Sequence, residues 1–154
     1  MKADDPRLEE SRKELFERIK KMDELMLIVL KNHVGLEQFL SEFLEVSGKK
    51  PEELTFYEKA KESEGLSPPE VDPAIWKVVY AANELRNKIA HTFDRAKIKA
   101  KVDALRFAYL AAVTPTQAEA AKKLDDAKIA AGAMDLCVAY LVVATDAVRT
   151  GKKP

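Results

Sequence analysis

Four polar residues stand close together in the segment Asn83 to Phe93, which reads NELRNKIAHTF. Asn83, Asn87 and His91 recur every four residues, so on a helix they form one stripe, with Arg86 at its edge. A guanidinium offers forked donors, an amide can orient a ligand, and an imidazole exchanges protons near neutral pH. Side chains of these types near a helix end can together hold a phosphate group.

The stripe must be carried by a helix, which the pattern places at residues 74–92. Its apolar positions share one face at spacings of three and four. They are Ile75, Val78, Val79, Ala82, Leu85 and Ile89. The polar stripe therefore begins beside a face that packs into a core.

The remaining chain is also typical of helices, at residues 6–46, 51–63, 96–112 and 115–149, with a proline-rich connection at 64–73. Asp5-Pro6 starts the first helix and Ser47-Gly48 ends it. Its apolar seam is regular from one end to the other. The seam comprises Leu15, Ile19, Met22, Met26, Val29, His33, Leu36, Leu40 and Phe43. We expect one all-α domain over residues 1–154, an antiparallel bundle of about five helices, two of them long, with short flexible ends at 1–4 and 150–154.

Composition restricts the class of protein. Lysine plus arginine and aspartate plus glutamate both number 26, so the chain lacks the basic surplus that general coating of nucleic acid requires. The single cysteine, Cys137, excludes an internal disulfide and fits a reducing, cytoplasmic location. The apolar window Ile129 to Val148 contains Asp135 and Asp146, and we interpret it as a buried helix or a subunit interface rather than a membrane anchor.

The segment LRNKIAH resembles the arginine–polar–x–x–x–histidine signature of the HEPN superfamily, small helical-bundle proteins that include RNA-cutting toxins and defence nucleases. The order of FLSEFL on a long first helix, then LTFYEKAK on a short one, and then the motif extends the likeness over most of the chain. The RNxxAH core is also similar to that of the mannitol-operon-repressor family, whose role is regulatory. The resemblance therefore implies a HEPN-like bundle.

The resemblance implies a homodimer that cuts RNA without a metal or another cofactor, its two motifs meeting across the interface. His91 would deprotonate the ribose 2′-hydroxyl or protonate the leaving 5′-oxygen from the other subunit. Arg86 would stabilise the phosphorane, and Asn87 would orient the histidine or the phosphate. The products would be a 2′,3′-cyclic phosphate and a 5′-hydroxyl. The best-known toxin subgroup has tyrosine two positions after the histidine, where this chain has Phe93. Control of such a toxin by nucleotide transfer from an antitoxin partner is therefore in doubt here.

A second interpretation is a non-catalytic regulatory or scaffold protein of the same fold that binds a protein or a nucleotide. In that case Asn83, Asn87 and His91 would satisfy one another inside a dimer interface, and Arg86 would pair with an acid on a neighbouring helix. Fold likeness alone does not separate the two.

After the motif comes a locally basic segment, which either guides an RNA backbone or forms a solvated helix face. Its members are Lys88, Arg95, Lys97, Lys99, Lys101 and Arg106. We expect RNA to be contacted by Asn83, Lys88, Arg95, Lys97 and Lys101.

The other residues that could bind a metal or react are better explained by packing in the core. His33 and Glu37 have a spacing that a metal could use, but no further ligand accompanies them and His33 falls on the apolar seam, so we expect a hydrogen-bonded core histidine and no metal site. Cys137 lies in an apolar run and should be a packed hydrophobe. The aromatic residues at helical core spacings are expected to be buried. They are Phe56, Tyr57, Trp76 and Tyr109.

Overall fold

The computed structural model describes residues 2–151, which form an all-α bundle of six helices without a strand in that range. The all-α class predicted from the sequence is confirmed. In chain order the helices are α1 (Pro6–Val46), α2 (Phe56–Gly65), α3 (Ala74–His91), α4 (Arg95–Ala112), α5 (Pro115–Ala121) and α6 (Asp126–Arg149). The predicted ends at 1–4 and 150–154 fall partly outside the described residues, and residues 3–4 and 150–151 lie in turns.

Helix α1 runs unbroken for 41 residues, as its periodicity predicts. The Asp5 carboxylate accepts a hydrogen bond from the Arg7 backbone N–H at 2.9 Å, and Pro6 occupies the first turn, where its missing N–H costs nothing. At the other end Gly48 adopts φ 83°, a left-handed conformation that favours glycine, and the Lys49 N–H bonds the Leu44 carbonyl at 2.9 Å. Both helix ends are therefore encoded locally.

The two halves of α1 have different surroundings. From Val29 onward its seam is buried against the other helices, whereas residues 9–21 are all exposed, with Leu15 at 57 % and Ile19 at 47 %. The regular apolar seam that the sequence predicts from Leu15 onward is therefore buried only in its second half. The reason is length: the start of α6 lies beside Met22 and Leu25, so α1 extends beyond the end of its main packing partner.

Helix α2 begins later than the sequence pattern suggests. Residues 51–54 form a turn, closed by a hydrogen bond from the Leu54 N–H to the Pro51 carbonyl at 3.0 Å. The helix starts after Thr55, whose hydroxyl accepts from the Glu58 N–H while the Glu58 carboxylate accepts from the Thr55 N–H. This reciprocal capping box satisfies two backbone donors, so it outweighs Pro51-Glu52-Glu53 as the starting signal.

The predicted last helix at 115–149 is in fact two helices, so residues 2–151 form six helices rather than about five. Helix α5 ends at Ala121, and the Asp125 carboxylate caps α6 by accepting from the Lys128 N–H at 2.9 Å. The turn between them is held by Arg106 of α4, which donates to the Leu124 carbonyl at 3.0 Å. Asp125-Asp126 is thus a helix start that continuous apolar spacing concealed.

Helix α6 packs in the middle of the bundle against α1, α3 and α4, and its inward residues are fully buried. Burial raises the pKa of the Cys137 thiol well above its ordinary value, as expected for a packed, unreactive cysteine. Within residues 2–151, α6 alone has the length and apolar composition of a membrane span, a test that the core helix of a bundle also passes. One face of residues 129–148 is buried against these helices, whereas Val142 and Val143 are 40 % and 48 % exposed, so the prediction of a buried helix is confirmed for the inward face alone.

Candidate functional site

The four motif residues leave the core progressively along α3. Asn83 is buried, Arg86 is partly exposed, and Asn87 and His91 are exposed. Four residues along an α-helix correspond to about 400° of rotation, so each step of the stripe turns about 40° further from its starting face. The stripe predicted from the spacing therefore begins in the core and ends in solvent.

Asn83 is bonded to α1 rather than to its own stripe. Its Oδ1 lies 3.0 Å from His33 Nε2, so the imidazole N–H donates to the amide oxygen. The His33 ring also stacks on Phe56, with ring centroids 4.1 Å apart and planes 26° apart. A hydrogen-bonded core histidine is thereby confirmed for His33. The sequence does not reveal this partner, which lies 50 residues away. Within residues 2–151, Asn83 makes no hydrogen bond to Asn87 or His91, so their mutual bonding inside a dimer interface stays a prediction.

The His33 imidazole is held neutral by its environment. Burial is the largest cause and lowers the pKa of His33 below its ordinary value, because the charged form loses water. The positive charge of Arg86 lowers this pKa further, while the bond to Asn83 and the carboxylate of Glu37 act in the opposite direction. His33 therefore serves as a neutral donor in the floor of the site.

Beside this pair is an open cleft of about 310 Å³, here called the polar pocket, between α1, the start of α2 and α3. Its lining residues are His33, Glu37, Thr55, Phe56, Tyr57, Asn83, Arg86 and Asn87. Glu37 is fixed by an ion pair to the largely buried Lys59, with Oε1 3.0 Å from Nζ. Tyr57 is 53 % exposed, so its expected burial is wrong, and the predicted core aromatic instead forms part of the pocket wall.

Arg86 is the free cation of the polar pocket. Its one side-chain hydrogen bond within residues 2–151 runs from Nη1 to Asn87 Oδ1 at 3.2 Å, and it forms no ion pair in that range. The expected pairing with an acid on a neighbouring helix is therefore wrong. Since Lys59 balances Glu37, the guanidinium leaves the pocket with a surplus positive charge.

His91 lies outside the polar pocket, at the last residue of α3. Five residues of helix separate it from Arg86, a rotation of about 140° and a rise of about 7.5 Å. The two side chains therefore leave α3 on different sides. Phe93, in the link to α4, is 82 % exposed and packs little against the chain.

The basic segment is partly neutralised by acids. Lys101 donates to Glu84 at 2.8 Å, and both Lys99 and Arg106 pair with Asp126. Lys88, Arg95 and Lys97, in contrast, have no ion pair among residues 2–151. Arg95 borders a second cavity, of about 880 Å³, between α1, α4 and the start of α6. The charges available to an anion thus cluster around the α3–α4 link.

Comparison of the chain with protein-family models, with curated proteins and with solved structures finds no match in any of the three. The geometry of the site therefore carries the functional argument, together with the motif resemblance.

Proposed function

We propose that this protein is a HEPN-type, metal-independent endoribonuclease that acts as a homodimer. The observation that carries the proposal is the accessibility of Arg86, Asn87 and His91 on the last turns of α3, where Arg86 is free of any acid in the described part of the chain. An arginine of purely structural use is normally paired when partly buried, whereas an unpaired one beside a polar pocket is suited to a phosphate.

The chemistry assigns one role to each residue. A histidine deprotonates the ribose 2′-hydroxyl, whose oxygen attacks the adjacent phosphorus, and the bond from phosphorus to the 5′-oxygen breaks. A second histidine protonates that leaving oxygen, which gives a 2′,3′-cyclic phosphate and a 5′-hydroxyl. Arg86 stabilises the negative charge that develops on the phosphorane, and Asn87, bonded to Arg86, orients the guanidinium.

A second copy of the chain would complete this site. Because Arg86 and His91 diverge by about 140°, one α3 does not place both side chains on the same side of a single phosphate. Two copies related by a twofold axis supply two histidines, one for each proton transfer. The dimer therefore explains how the motif operates despite its spacing on the helix.

We place the dimer contact on an apolar stripe of α1 formed by Leu27, Leu30 and Val34. These side chains are exposed to 68 %, 39 % and 67 %, and exposed clusters of large apolar residues on a soluble domain commonly mark an interface. Leu30 lies one turn before His33, and Val34 one turn before Glu37, so the apolar stripe runs along the α1 edge of the polar pocket. Contact there would bring two pockets close together.

The test is cleavage of a mixed RNA pool by purified protein in the presence of EDTA. We expect cyclic-phosphate ends, and a loss of about 100-fold or more in rate for His91→Ala, since a positioned acid or base contributes roughly 100- to 10,000-fold. Lys77→Ala, an exposed cation elsewhere on α3, is the matched control and should cleave normally. Activity that EDTA abolishes, or that survives His91→Ala, would overturn the proposal.

A second candidate is a non-catalytic regulatory or scaffold protein of the same fold. The ion pairs of Lys99, Lys101 and Arg106 favour it, because they reduce the positive charge available to an RNA backbone. If this candidate is right, RNA should stay intact at all protein concentrations. The dimer should be lost in Asn87→Ala or His91→Ala, because this interpretation puts both side chains in the dimer interface. Intact dimers in both variants would count against it.

A further inference from the structure

The polar pocket holds hydrogen-bonding groups that the protein itself leaves unused. Asn83 is buried and bonded through Oδ1, yet its Nδ2 makes no hydrogen bond within residues 2–151. Glu37 is bonded to Lys59 through Oε1, and its Oε2 is likewise without a partner in the described chain. An amide donor and a fixed carboxylate oxygen that are both open to one pocket are available to a polar ligand.

The size and walls of the pocket suit a single nucleobase. About 310 Å³ lies at the lower end of the roughly 300–1,000 Å³ range of small-molecule sites, which suits one nucleotide and excludes a duplex. The exposed ring of Tyr57 forms part of the wall, and aromatic rings are the usual platforms on which unpaired bases stack. A flat, polar-edged ligand therefore fits the lining.

We propose that the polar pocket binds a guanine base, with Glu37 as the residue that selects it and Arg86 on the phosphate of the same nucleotide. This inference deepens the proposed function, since it names the nucleotide beside the phosphate that is cut. The ligand chemistry is that of a guanosine phosphate, whether free or within an RNA chain.

The selection rests on matching donors with acceptors. A carboxylate presents two acceptor oxygens side by side, and Glu37 Oε1 keeps a second lone pair beside its bond to Lys59. The Watson–Crick edge of guanine presents two adjacent donors, N1–H and the N2 amino group. Adenine and cytosine offer one amino group beside a ring acceptor, and uracil offers one N–H between two carbonyl oxygens. Lys59 holds Glu37 in place, and the free Asn83 Nδ2 can donate to guanine O6.

Direct binding separates this inference from the proposed function. The protein is titrated with guanosine, adenosine, cytidine and uridine 3′-monophosphates, and binding is followed by NMR of the arginine and asparagine side chains. A matched bidentate pair is expected to favour the guanosine nucleotide by about 5- to 150-fold. Equal affinity for the four nucleotides, or no binding of any of them at millimolar concentration, overturns the inference.

Variants identify the selecting group. Glu37→Gln keeps the shape of the side chain but replaces one acceptor with a donor that faces the guanine N2 amino group, so the preference should fall to within about 2-fold of the other bases. Glu45→Gln, an exposed glutamate on the same helix, is the control and should retain the preference. Tyr57→Ala should lower the affinity for all four nucleotides by a similar factor, because stacking discriminates little between bases. A guanosine preference that persists in Glu37→Gln contradicts the assignment.

The two proposals can fail separately. If the protein binds guanosine phosphate but leaves RNA intact, the base-site proposal is supported and the ribonuclease proposal is refuted. If it cuts RNA without preference for phosphates next to guanosine, the ribonuclease proposal is supported and the base-site proposal is refuted.

Discussion

The hydrogen bond between His33 and Asn83 should be one of the most important polar contacts in the bundle, because it joins α1 to α3 beneath the polar pocket. Asn83→Leu keeps the branched shape of the side chain and removes the acceptor, which leaves the buried Nε2–H without a partner. An unsatisfied buried donor costs about 1–3 kcal/mol, and water entering from the adjacent pocket would place the value at the lower end. We expect the free energy of unfolding to fall by that amount.

The assay is urea denaturation followed by circular dichroism, in which the midpoint should fall by on the order of 1 M. Asn87→Leu, the exposed amide one turn later, is the control and should change stability by less than about 0.5 kcal/mol. In the double variant His33→Phe/Asn83→Leu both polar groups are gone while the stack on Phe56 is kept, so stability should recover to within about 1 kcal/mol of the parent. If Asn83→Leu alone is as stable as the parent, the bond contributes nothing and the reasoning is refuted.

Three further predictions follow from the packing. The pKa of His33 in the folded protein lies below its ordinary 6.5, so the unfolded chain binds the proton first as pH decreases. The free energy of unfolding should therefore fall as pH decreases from about 7 and level off below the folded pKa. Measuring the free energy of unfolding against pH in the parent and in His33→Phe checks this, because the variant should lose this part of the pH dependence. Leu30→Glu puts a charge on the apolar stripe, so the molar mass measured by light scattering should change from that of a dimer to that of a monomer. Glu17→Lys, on another face of α1, is the control and should stay dimeric. A monomeric parent would contradict the apolar stripe as an interface. Asp125→Ala should cost about 1 kcal/mol and lower the Tm by a few degrees, because it removes the cap of α6; an unchanged Tm in calorimetry would mean that the Arg106 contacts alone hold this turn.

Sequence patterns predict the helices well where both ends carry local signals. Helix α1 has an aspartate cap, a proline in its first turn and a glycine after its end, and its predicted bounds, Pro6 and Val46, match the structure. The split between α5 and α6 was hidden because Leu124 keeps the apolar spacing across a break that Asp125 and Arg106 create. Periodicity shows which residues share a face, but only caps show where one helix stops and another begins.

The candidate site was only half visible in the sequence. Spacing places Asn83, Asn87 and His91 on one stripe, but with a drift of about 40° per step Asn83 is buried while Asn87 and His91 are exposed. The exposed first half of α1 was equally hidden, because the pattern of Leu15 and Ile19 does not tell whether a neighbouring helix is long enough to cover them. The burial of Asn83 and the exposure of the first half of α1 could not be predicted, because they depend on long-range contacts and on relative helix lengths, which local sequence patterns do not contain.

Arg86 connects the two proposed activities, and this position makes them separable by mutation. It lines the polar pocket on one side of α3, whereas His91 leaves the helix about 140° away. His91→Ala should therefore abolish cleavage while nucleotide affinity is unchanged, and Glu37→Gln should lower the preference for cutting next to guanosine while cleavage itself continues. Arg86→Lys keeps the charge but removes the planar fork, so it should weaken both binding and cleavage. If Arg86→Lys affects only one of them, the phosphate of the bound nucleotide is not the phosphate that is cut, and the pocket belongs to a neighbouring nucleotide.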